Sequence, residues 1–236
     1  MTSTSGTPTD GPPDQIVDGH GPDDAHAPGP ELRRLADALR LVVDQITRTE
    51  AAPGTLIRAA ETVEAAAAVL EPETPSWGPH IPARGAPDGD PHDYFPFSPV
   101  VGFFNPLAPP VEVEVRDGVV HGQANLGSAF EGPPGCVHGG VIASMFDELL
   151  GIVNIAAGVG AMTGTLTIRY RKPTPLQTDL RFELRHTGVE RRKVFAAGSM
   201  YAGDELCAEA EGIFILTAYR QFDDLRVEAE ARATGR

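Results

Sequence analysis

One segment of this 236-residue chain restricts its possible folds more than any other. Residues 139–157 are apolar almost throughout, and apart from Asp147, Glu148 and Asn154 they offer almost no polar face. A helix that is hydrophobic on every face has to be surrounded on most sides. The simplest container is a strongly curved antiparallel sheet, so the sequence predicts an α+β fold in which such a sheet wraps this helix.

The segments on both sides of the helix are predicted to supply that sheet. Alternating Val and Glu over 111–115, an Asp117-Gly118 turn and a return strand over 119–126 predict an antiparallel hairpin. Four further strands are predicted after the helix, at Thr163–Tyr170, Leu180–His186, Lys193–Tyr201 and Leu206–Leu216, with a bulge at Gly212 in the last one. The order contains no βαβ alternation, which favours an antiparallel sheet.

The N-terminal residues predict appendages of this domain. Residues 1–30 hold six Pro, five Gly, five Asp and no Lys or Arg, and this composition is typical of a disordered tail. Apolar residues at helical spacing over 31–71, interrupted at Pro53-Gly54, predict a helical hairpin. A hairpin of this size needs to dock on another surface to be stable, which suggests a packing or oligomerisation accessory.

The remaining boundaries follow from proline content and charge. Residues 72–96 are rich in Pro and predict an extended linker, with Trp77, Tyr94 and Phe95 as aromatic side chains that pin it to a neighbouring surface. Residues 97–217 form the predicted domain, and residues 218–236 are a charged tail that is expected to fray.

Composition excludes several classes of function. The chain has 19 Lys and Arg against 33 Asp and Glu, a net charge of −14, so nucleic acid and anionic membrane surfaces are poor partners. Two cysteines provide neither a disulfide framework nor paired thiolate ligands for zinc. The 7 histidines lack ligand spacing, so no metal site is expected.

A membrane-spanning segment is also not expected. Residues 149–168 carry no charge and are long enough to cross a bilayer. Four glycines and alternating threonines in this stretch favour the end of a helix, a turn and a strand instead. The first basic residue is Arg33, so no basic region precedes an apolar run as in a secretory signal, and a cytoplasmic location is expected.

The two carboxylates in the apolar helix need an explanation. An unpaired, dehydrated carboxylate is costly or becomes protonated through a raised pKa. Asp147 or Glu148 is therefore expected to reach a partner, water or a ligand. A salt bridge at the edge of the helix is the alternative that carries no chemistry.

The start of the same helix carries a second signal. Gly139 and Gly140 expose backbone N–H groups at the positive end of the helix dipole, where an anion or a polarised carbonyl oxygen binds well. His138 either holds this loop or assists the oxygen. Together, an N–H cradle and a carboxylate suggest the attack of an activated water on a polarised carbonyl.

The spacing of these groups predicts a dimer. Gly139 and Asp147 are eight residues apart, about 12 Å along a helix axis. One substrate carbonyl group does not easily contact both Gly139 and Asp147 of the same helix. A two-fold partner with an antiparallel helix would bring Asp147 of one chain beside Gly139 of the other, so the chemistry predicts a homodimer with shared sites.

These residues resemble a known family. His138-Gly139-Gly140 with Asp147, together with the strand at 163–170 and Arg171-Lys172-Pro173-Thr174-Pro175 after it, is similar to the hot-dog-fold acyl-CoA thioesterases. The closest branch is that of the PaaI-like proteins and thioesterase superfamily members. The resemblance covers about residues 97–217. It implies hydrolysis of an acyl-CoA thioester to a free acid and coenzyme A.

The resemblance also implies roles for individual residues. Asp147 matches the acidic residue that acts as general base or nucleophile, and Gly139 matches the N–H donor to the thioester oxygen, with His138 and Gly140 beside it. Thr163 matches a hydroxyl that orients the attacking water; a strand-end hydroxyl without such a role is its other interpretation. Coenzyme A belongs to the substrate, and no separate cofactor is implied.

Basic residues mark the expected coenzyme A site. In the family the coenzyme A moiety lies over the segment that corresponds to Arg171-Lys172 and over the turn at Arg191-Arg192-Lys193. Both lysines of the chain belong to these clusters, and clustered cations suit a phosphate-bearing ligand. The second cluster is equally typical of a solvated hairpin turn. The expected partners are acyl-CoA and a second copy of the chain, as a homodimer or a dimer of dimers.

One departure and several alternatives remain at this stage. Some relatives have Asn six residues before the histidine, where this chain has Gly132, so a side-chain contribution from that loop is in doubt. A non-catalytic acyl-CoA-binding protein is the main alternative function, and a hot-dog hydratase and a Cys136 nucleophile are weaker ones. Acyl specificity is not encoded in any motif; the candidate tunnel residues are Phe103, Phe104, Leu149 and Val153.

Overall fold

The computed structural model describes residues 29–74, 90–109, 111–217, 227–228 and 231–232. The predicted tail before residue 29, Trp77 and most of the charged tail after residue 217 lie outside the described residues.

Six strands form one antiparallel sheet. They are β1 (Val111–Arg116), β2 (Val119–Asn125), β3 (Ala161–Tyr170), β4 (Asp179–Glu190), β5 (Lys193–Ala202) and β6 (Glu205–Leu216). Their order across the sheet is β1-β2-β4-β5-β6-β3, and every neighbouring pair is antiparallel. The predicted strands are therefore confirmed. Because β3 is an edge strand, one of its sides has no neighbouring strand among the described residues.

The apolar helix lies against the curved sheet, as predicted. This helix, α4 (Gly139–Ala156), packs on β2, β3, β4, β5 and β6. Met145, Phe146, Leu149 and Leu150 are completely buried in the core between helix and sheet. The fold is therefore the predicted α+β arrangement, in which tertiary packing accounts for the apolar composition of α4.

The 20-residue uncharged stretch is divided as expected. Residues 149–168 contain the end of α4, a turn with Gly158 at φ +75° and the first part of β3. Among the described helices, α4 is long and apolar enough to cross a bilayer by length and composition. Seven of its apolar residues are buried in the domain, which accounts for that part of its apolar composition: Ile142, Met145, Phe146, Leu149, Leu150, Ile152 and Val153.

The predicted bulge at Gly212 is wrong. Gly212 pairs in regular register with Leu166 of β3 and Ala196 of β5. The absence of a side chain at this position has a steric reason, because a Cβ atom would lie 2.4 Å from the Phe214 ring. The bulge lies on the partner strand instead, where the register shifts between Thr163 and Thr165.

The first N-terminal helix docks on the domain through one arginine. Helix α1 (Pro30–Ile46) carries Arg40, whose guanidinium group donates hydrogen bonds to four backbone carbonyl groups in the segment before β1. These acceptors are Gly102, Phe103, Asn105 and Ala108, at 2.7–3.1 Å. Ala36 is buried in the same contact, and the Thr47 and Ser128 hydroxyls are 2.7 Å apart.

The second helix of the expected hairpin buries no residue against the described part of the chain. Helix α2 (Pro53–Leu70) has no buried residue, and large apolar side chains such as Ile57 and Val69 are exposed. The C-terminal end of the expected linker, in contrast, is packed. A short helix α3 (Pro91–Tyr94) places Tyr94 completely inside the core, so this aromatic side chain pins the end of the 72–96 segment to the domain, as expected from the sequence.

Candidate active site

His138 holds the turn that begins α4. It is the N-cap residue, and its Nδ1 accepts a hydrogen bond from the Gly140 N–H at 2.9 Å. Its own N–H donates to the Phe130 carbonyl at 2.9 Å. The side chain therefore stabilises the helix start, which favours the loop-holding interpretation. It also makes a Cys136–His138 pair a poor candidate for nucleophilic catalysis, since Nδ1 is already occupied.

Gly139, in contrast, has an N–H group that no described residue accepts. As the first residue of α4, Gly139 donates no bond within the helix. The positive end of the helix dipole adds to the attraction of this N–H for a negatively charged oxygen. The backbone is thus arranged to bind an oxyanion at Gly139 and not at Gly140, whose N–H is already used.

Tyr170 is a site residue that the sequence analysis missed. Its hydroxyl donates to the Gly139 carbonyl at 2.8 Å, and its ring lies beside the Gly139 Cα. The contact forms because the end of β3 reaches the start of α4 across the fold. No local motif indicates such a contact, since 31 residues separate the two positions.

Asp147 places a carboxylate oxygen inside the protein without a partner. The residue is half-buried, and its Oδ1 is buried and accepts no hydrogen bond from the described residues. Neither Asp147 nor the neighbouring Glu148 forms a salt bridge with a described residue. The described residues therefore do not form the edge-of-helix salt bridge that was the alternative from the sequence, and a buried unpaired acceptor of this kind is typical of a functional position.

Glu148 differs from its neighbour because it has a partner. Burial raises the pKa of Glu148, the hydrogen bond from Ser98 opposes that shift, and the negative charge of Asp147 raises the pKa further. Ser98 belongs to the segment before β1, and its Oγ also accepts from the Val100 and Val101 N–H groups. Glu148 therefore joins α4 to this segment, which leaves Asp147 as the carboxylate available to a ligand.

The loop before the helix explains the departure at position 132. A Cβ atom on Gly132 would lie 2.7 Å from the His138 Cα, so this backbone has no room for an asparagine. Glu131 instead braces the loop, because its Oε1 accepts a hydrogen bond from the Gly135 N–H at 2.7 Å. The loop therefore shapes the helix start without offering a side chain at position 132.

Thr163 lies far from Gly139 within one chain. It is exposed on the edge strand β3, beside the bulge at Gly164. Tyr170, which touches Gly139, is seven residues further along this strand, and seven residues of strand span about 23 Å. A single chain consequently does not bring Thr163 and Gly139 to one carbonyl group.

The two basic clusters also lie at opposite ends of the sheet. Arg171 and Lys172 follow Tyr170, whereas Lys193 pairs with Ile215, which pairs with Met162 at the start of β3. Met162 and Tyr170 are eight residues apart on one strand, about 26 Å. This distance is too long for one coenzyme A molecule to contact both clusters of the same chain directly.

The clusters differ in their electrostatic partners. Arg171 forms a 2.6 Å ion pair with Glu209, and Lys172 pairs with Glu205, which raises the pKa of Lys172. The turn residues Arg191, Arg192 and Lys193 are exposed and form no ion pair with the described residues. The glutamate partners on β6 were not anticipated, although their alternation over 205–211 was visible in the sequence.

Two of the candidate tunnel residues are engaged elsewhere. Phe103 is stacked between the His92 ring, at 3.9 Å between centroids, and the Arg33 guanidinium, at 4.0 Å from its centroid. Phe104 packs on Phe97 in the same segment. No group of three or more potential metal-ligating side chains occurs among residues 29–74, 90–109 and 111–217.

A curved antiparallel sheet around one apolar helix defines a hot-dog-fold protein of the thioesterase type. At the start of this helix is an N–H group, and in its middle a buried carboxylate oxygen, for which the described residues offer no partner. The model of the thioesterase superfamily matches residues 134–209, which include both groups. A solved thioesterase superfamily protein is 36% identical, with a TM-score of 0.71 over 80% of this chain and 97% of its own. The chain belongs to the thioesterase superfamily.

The solved relative also shares part of the N-terminal extension. An overlap of 80% corresponds to about 189 of 236 residues, whereas the predicted domain and C-terminal tail together contain only 140 (97–236). The similarity to this solved structure therefore continues into the segment before residue 97.

Curated relatives match the central part of the chain. Over 91 residues it is 37% identical to acyl-coenzyme A thioesterase THEM4 of Xenopus laevis, 40% to THEM4 of Mus musculus and 31% to THEM5 of Homo sapiens. The match covers 38% of this chain and 37–41% of these relatives. The shared region is thus about two fifths of their length.

Proposed function

We propose that this protein is an acyl-CoA thioesterase, which hydrolyses an acyl-CoA to a free carboxylic acid and coenzyme A. The observation that carries the proposal is a pair of unsatisfied groups on one helix: the Gly139 N–H and the buried Asp147 Oδ1. A donor without an acceptor and an acceptor without a donor suit the polarised carbonyl and the attacking water of a hydrolysis. The names of the curated relatives support the acyl-CoA substrate.

The proposed site is shared between two copies of the chain. Gly139 and Asp147 are about 12 Å apart along α4, and Thr163 and the second basic cluster lie toward the far end of the sheet from Gly139. An antiparallel pairing of two β3 edge strands places the far end of one chain beside the near end of the other. Such a pairing would bring Thr163 and the second basic cluster of one chain toward Gly139 of the other, which is the arrangement that the proposed homodimer requires.

The reaction follows from these positions. Asp147 of one protomer accepts a proton from water, whose oxygen attacks the thioester carbonyl carbon held at Gly139 of the other. The tetrahedral oxyanion is stabilised by the Gly139 N–H and the helix dipole. Collapse breaks the C–S bond, and the departing thiolate takes the proton from Asp147 and leaves as coenzyme A.

Coenzyme A enters this proposal only as part of the substrate, and no further cofactor takes part in the steps. The cations at Arg171-Lys172 of one protomer and Arg191-Arg192-Lys193 of the other are proposed to bind its phosphates. The second cluster is proposed to bind more strongly because no described carboxylate forms an ion pair with it, whereas Glu209 and Glu205 pair with the first. A dimer of dimers and a cytoplasmic location remain predictions from the sequence.

Thiol release from acyl-CoA substrates of several chain lengths tests the function. Asp147→Asn is expected to lower turnover by about 10²–10⁴ because it removes a general base. Glu148→Gln is the matched control, since this adjacent carboxylate already has a hydrogen-bond partner in Ser98. Binding of acyl-CoA without thiol release in the unaltered protein would refute the enzyme and favour the acyl-CoA-binding alternative.

A further inference from the structure

A second unsatisfied group lies on α4 beyond Asp147. The buried side-chain atoms without a hydrogen-bond partner in the described part of the chain include Asp147 Oδ1 and Asn154 Nδ2. The two residues are seven positions apart, which is about two turns, so they lie on the same edge of the helix. Their separation along the axis is about 10 Å.

Asn154 is an unusual residue for this position. It is only 1% exposed, at the C-terminal end of the apolar helix. Its Oδ1 lies 3.4 Å from Nδ1 of His186, but its amide N–H₂ donates to no described residue. Because buried amide donors are nearly always hydrogen-bonded, this one calls for an acceptor that the described residues do not supply, and a bound ligand is a source of it.

Gly151 leaves the helix surface open between the two groups. It lies four residues after Asp147 and three before Asn154, and a Cβ atom built on it meets no heavy atom within 4 Å. Glycine in the middle of a helix is less stable than alanine. The described residues give no packing reason for the missing side chain at this half-exposed position, so the helix surface has room here for a ligand.

We propose that the acyl group of the substrate lies along this edge of α4, from Asp147 over Gly151 to Asn154, and that Asn154 selects acyl groups with an oxygen acceptor at their far end. This inference rests on the proposed thioesterase function. An extended chain advances about 3.5 Å for every three bonds, so about 10 Å corresponds to roughly eight or nine bonds. The preferred substrate is therefore a medium-chain acyl-CoA with a terminal hydroxyl or carbonyl oxygen.

The experiment compares acetyl-CoA, octanoyl-CoA and 8-hydroxyoctanoyl-CoA in a thiol-release assay. The unaltered protein is expected to show at least a tenfold higher kcat/KM for the hydroxylated chain than for octanoyl-CoA. Asn154→Leu removes the amide donor at similar volume and is expected to bring this ratio close to one. Equal kcat/KM values for the two chains in the unaltered protein would overturn the inference.

A second variant does not depend on the buried core. Gly151→Leu fills the open space on the helix surface and is expected to lower the ratio of kcat/KM for octanoyl-CoA to kcat/KM for acetyl-CoA at least tenfold. Gly151→Ala is expected to give a ratio between those of the unaltered protein and Gly151→Leu. Ala65→Leu adds the same side chain to the exposed helix α2 and is expected to leave the ratio unchanged. If Gly151→Leu alters the molar mass in solution and not the ratio, a second copy of the chain covers the space, and the inference is wrong.

The same assay separates this inference from the proposed function. Hydrolysis of all three substrates without a preference, and without an effect of the Gly151 variant, overturns the acyl path alone. Absence of thiol release from every substrate overturns the thioesterase function and the acyl path with it.

Discussion

Replacement of Gly139 by proline is the sharpest test of the proposed oxyanion site. Proline removes one backbone N–H and nothing else from the first position of a helix, where it is well tolerated. The preceding His138 has φ −62° and ψ 131°, which is the conformation that a residue before proline adopts. Since no described residue accepts the Gly139 N–H, the fold loses no hydrogen bond.

We therefore expect Gly139→Pro to change the free energy of unfolding little but to lower kcat strongly. The free energy of unfolding is expected to stay within about 1 kcal/mol, because the restricted proline offsets small steric costs. Loss of one oxyanion donor costs about 10²–10³ in kcat, or about 2.7–4 kcal/mol of transition-state stabilisation. Thermal unfolding and thiol release measure the two quantities on the same sample.

Gly139→Ala is the matched control. It keeps the N–H, and its Cβ would lie 3.5 Å from the Tyr170 ring, an ordinary van der Waals distance. A folded Gly139→Pro variant that is as active as Gly139→Ala would refute the assignment of the N–H donor.

The Gly139→Pro variant also tests whether the site is shared. A mixed dimer of Gly139→Pro and Asp147→Asn chains has one site with both defects and one with neither. Statistical reassociation of equal amounts is expected to restore about a quarter of the unaltered activity, because half of the dimers are mixed and each has one intact site. No recovery in mixed dimers that are shown to form would place both groups in the same chain.

Three further predictions concern side chains around the site. Arg40→Met is expected to lower the free energy of unfolding by about 2–4 kcal/mol, since several carbonyl groups lose a charged donor; urea unfolding measures it, and a change below 0.5 kcal/mol would contradict the docking role of α1. Glu148 has a folded-state pKa above its unfolded value, so its stabilisation is complete below about pH 4 and is lost as the pH rises through the raised pKa. Glu148→Gln is therefore expected to be more stable than the unaltered protein at pH 7 but not at pH 4, and an equal difference at both pH values would exclude this cause. Changing Arg191, Arg192 and Lys193 to Gln together is expected to raise KM for acyl-CoA on the order of tenfold and to weaken its salt dependence, whereas an unchanged KM would leave only the solvated-turn interpretation.

The local pattern of the sequence was sufficient to predict the main elements. Strands with alternating polarity and the apolar helix appear where they were predicted, because their side-chain periodicity reflects which face is buried. The Gly212 prediction failed because a glycine in a strand has more than one cause: here it makes room for the Phe214 ring, a contact that periodicity does not encode. The hydrogen bonds from Arg40 to distant carbonyl groups could not be predicted either, since every residue has a backbone carbonyl and the sequence does not indicate which of them accept.

The candidate site shows the same division between local and long-range information. The amino-acid order alone was enough to single out a glycine pair at the start of a helix and a carboxylate inside it, because both conflict with an otherwise apolar segment. Only the tertiary structure decided that, among the described residues, the Gly140 N–H has an acceptor while the Gly139 N–H has none, and that Glu148 has a hydrogen-bond partner while the buried Asp147 Oδ1 has none. It also decided that the two basic clusters lie at opposite ends of the sheet. The physical reason is that hydrogen-bond satisfaction depends on which groups the folded chain brings within about 3 Å of one another, whereas side-chain pattern records only burial.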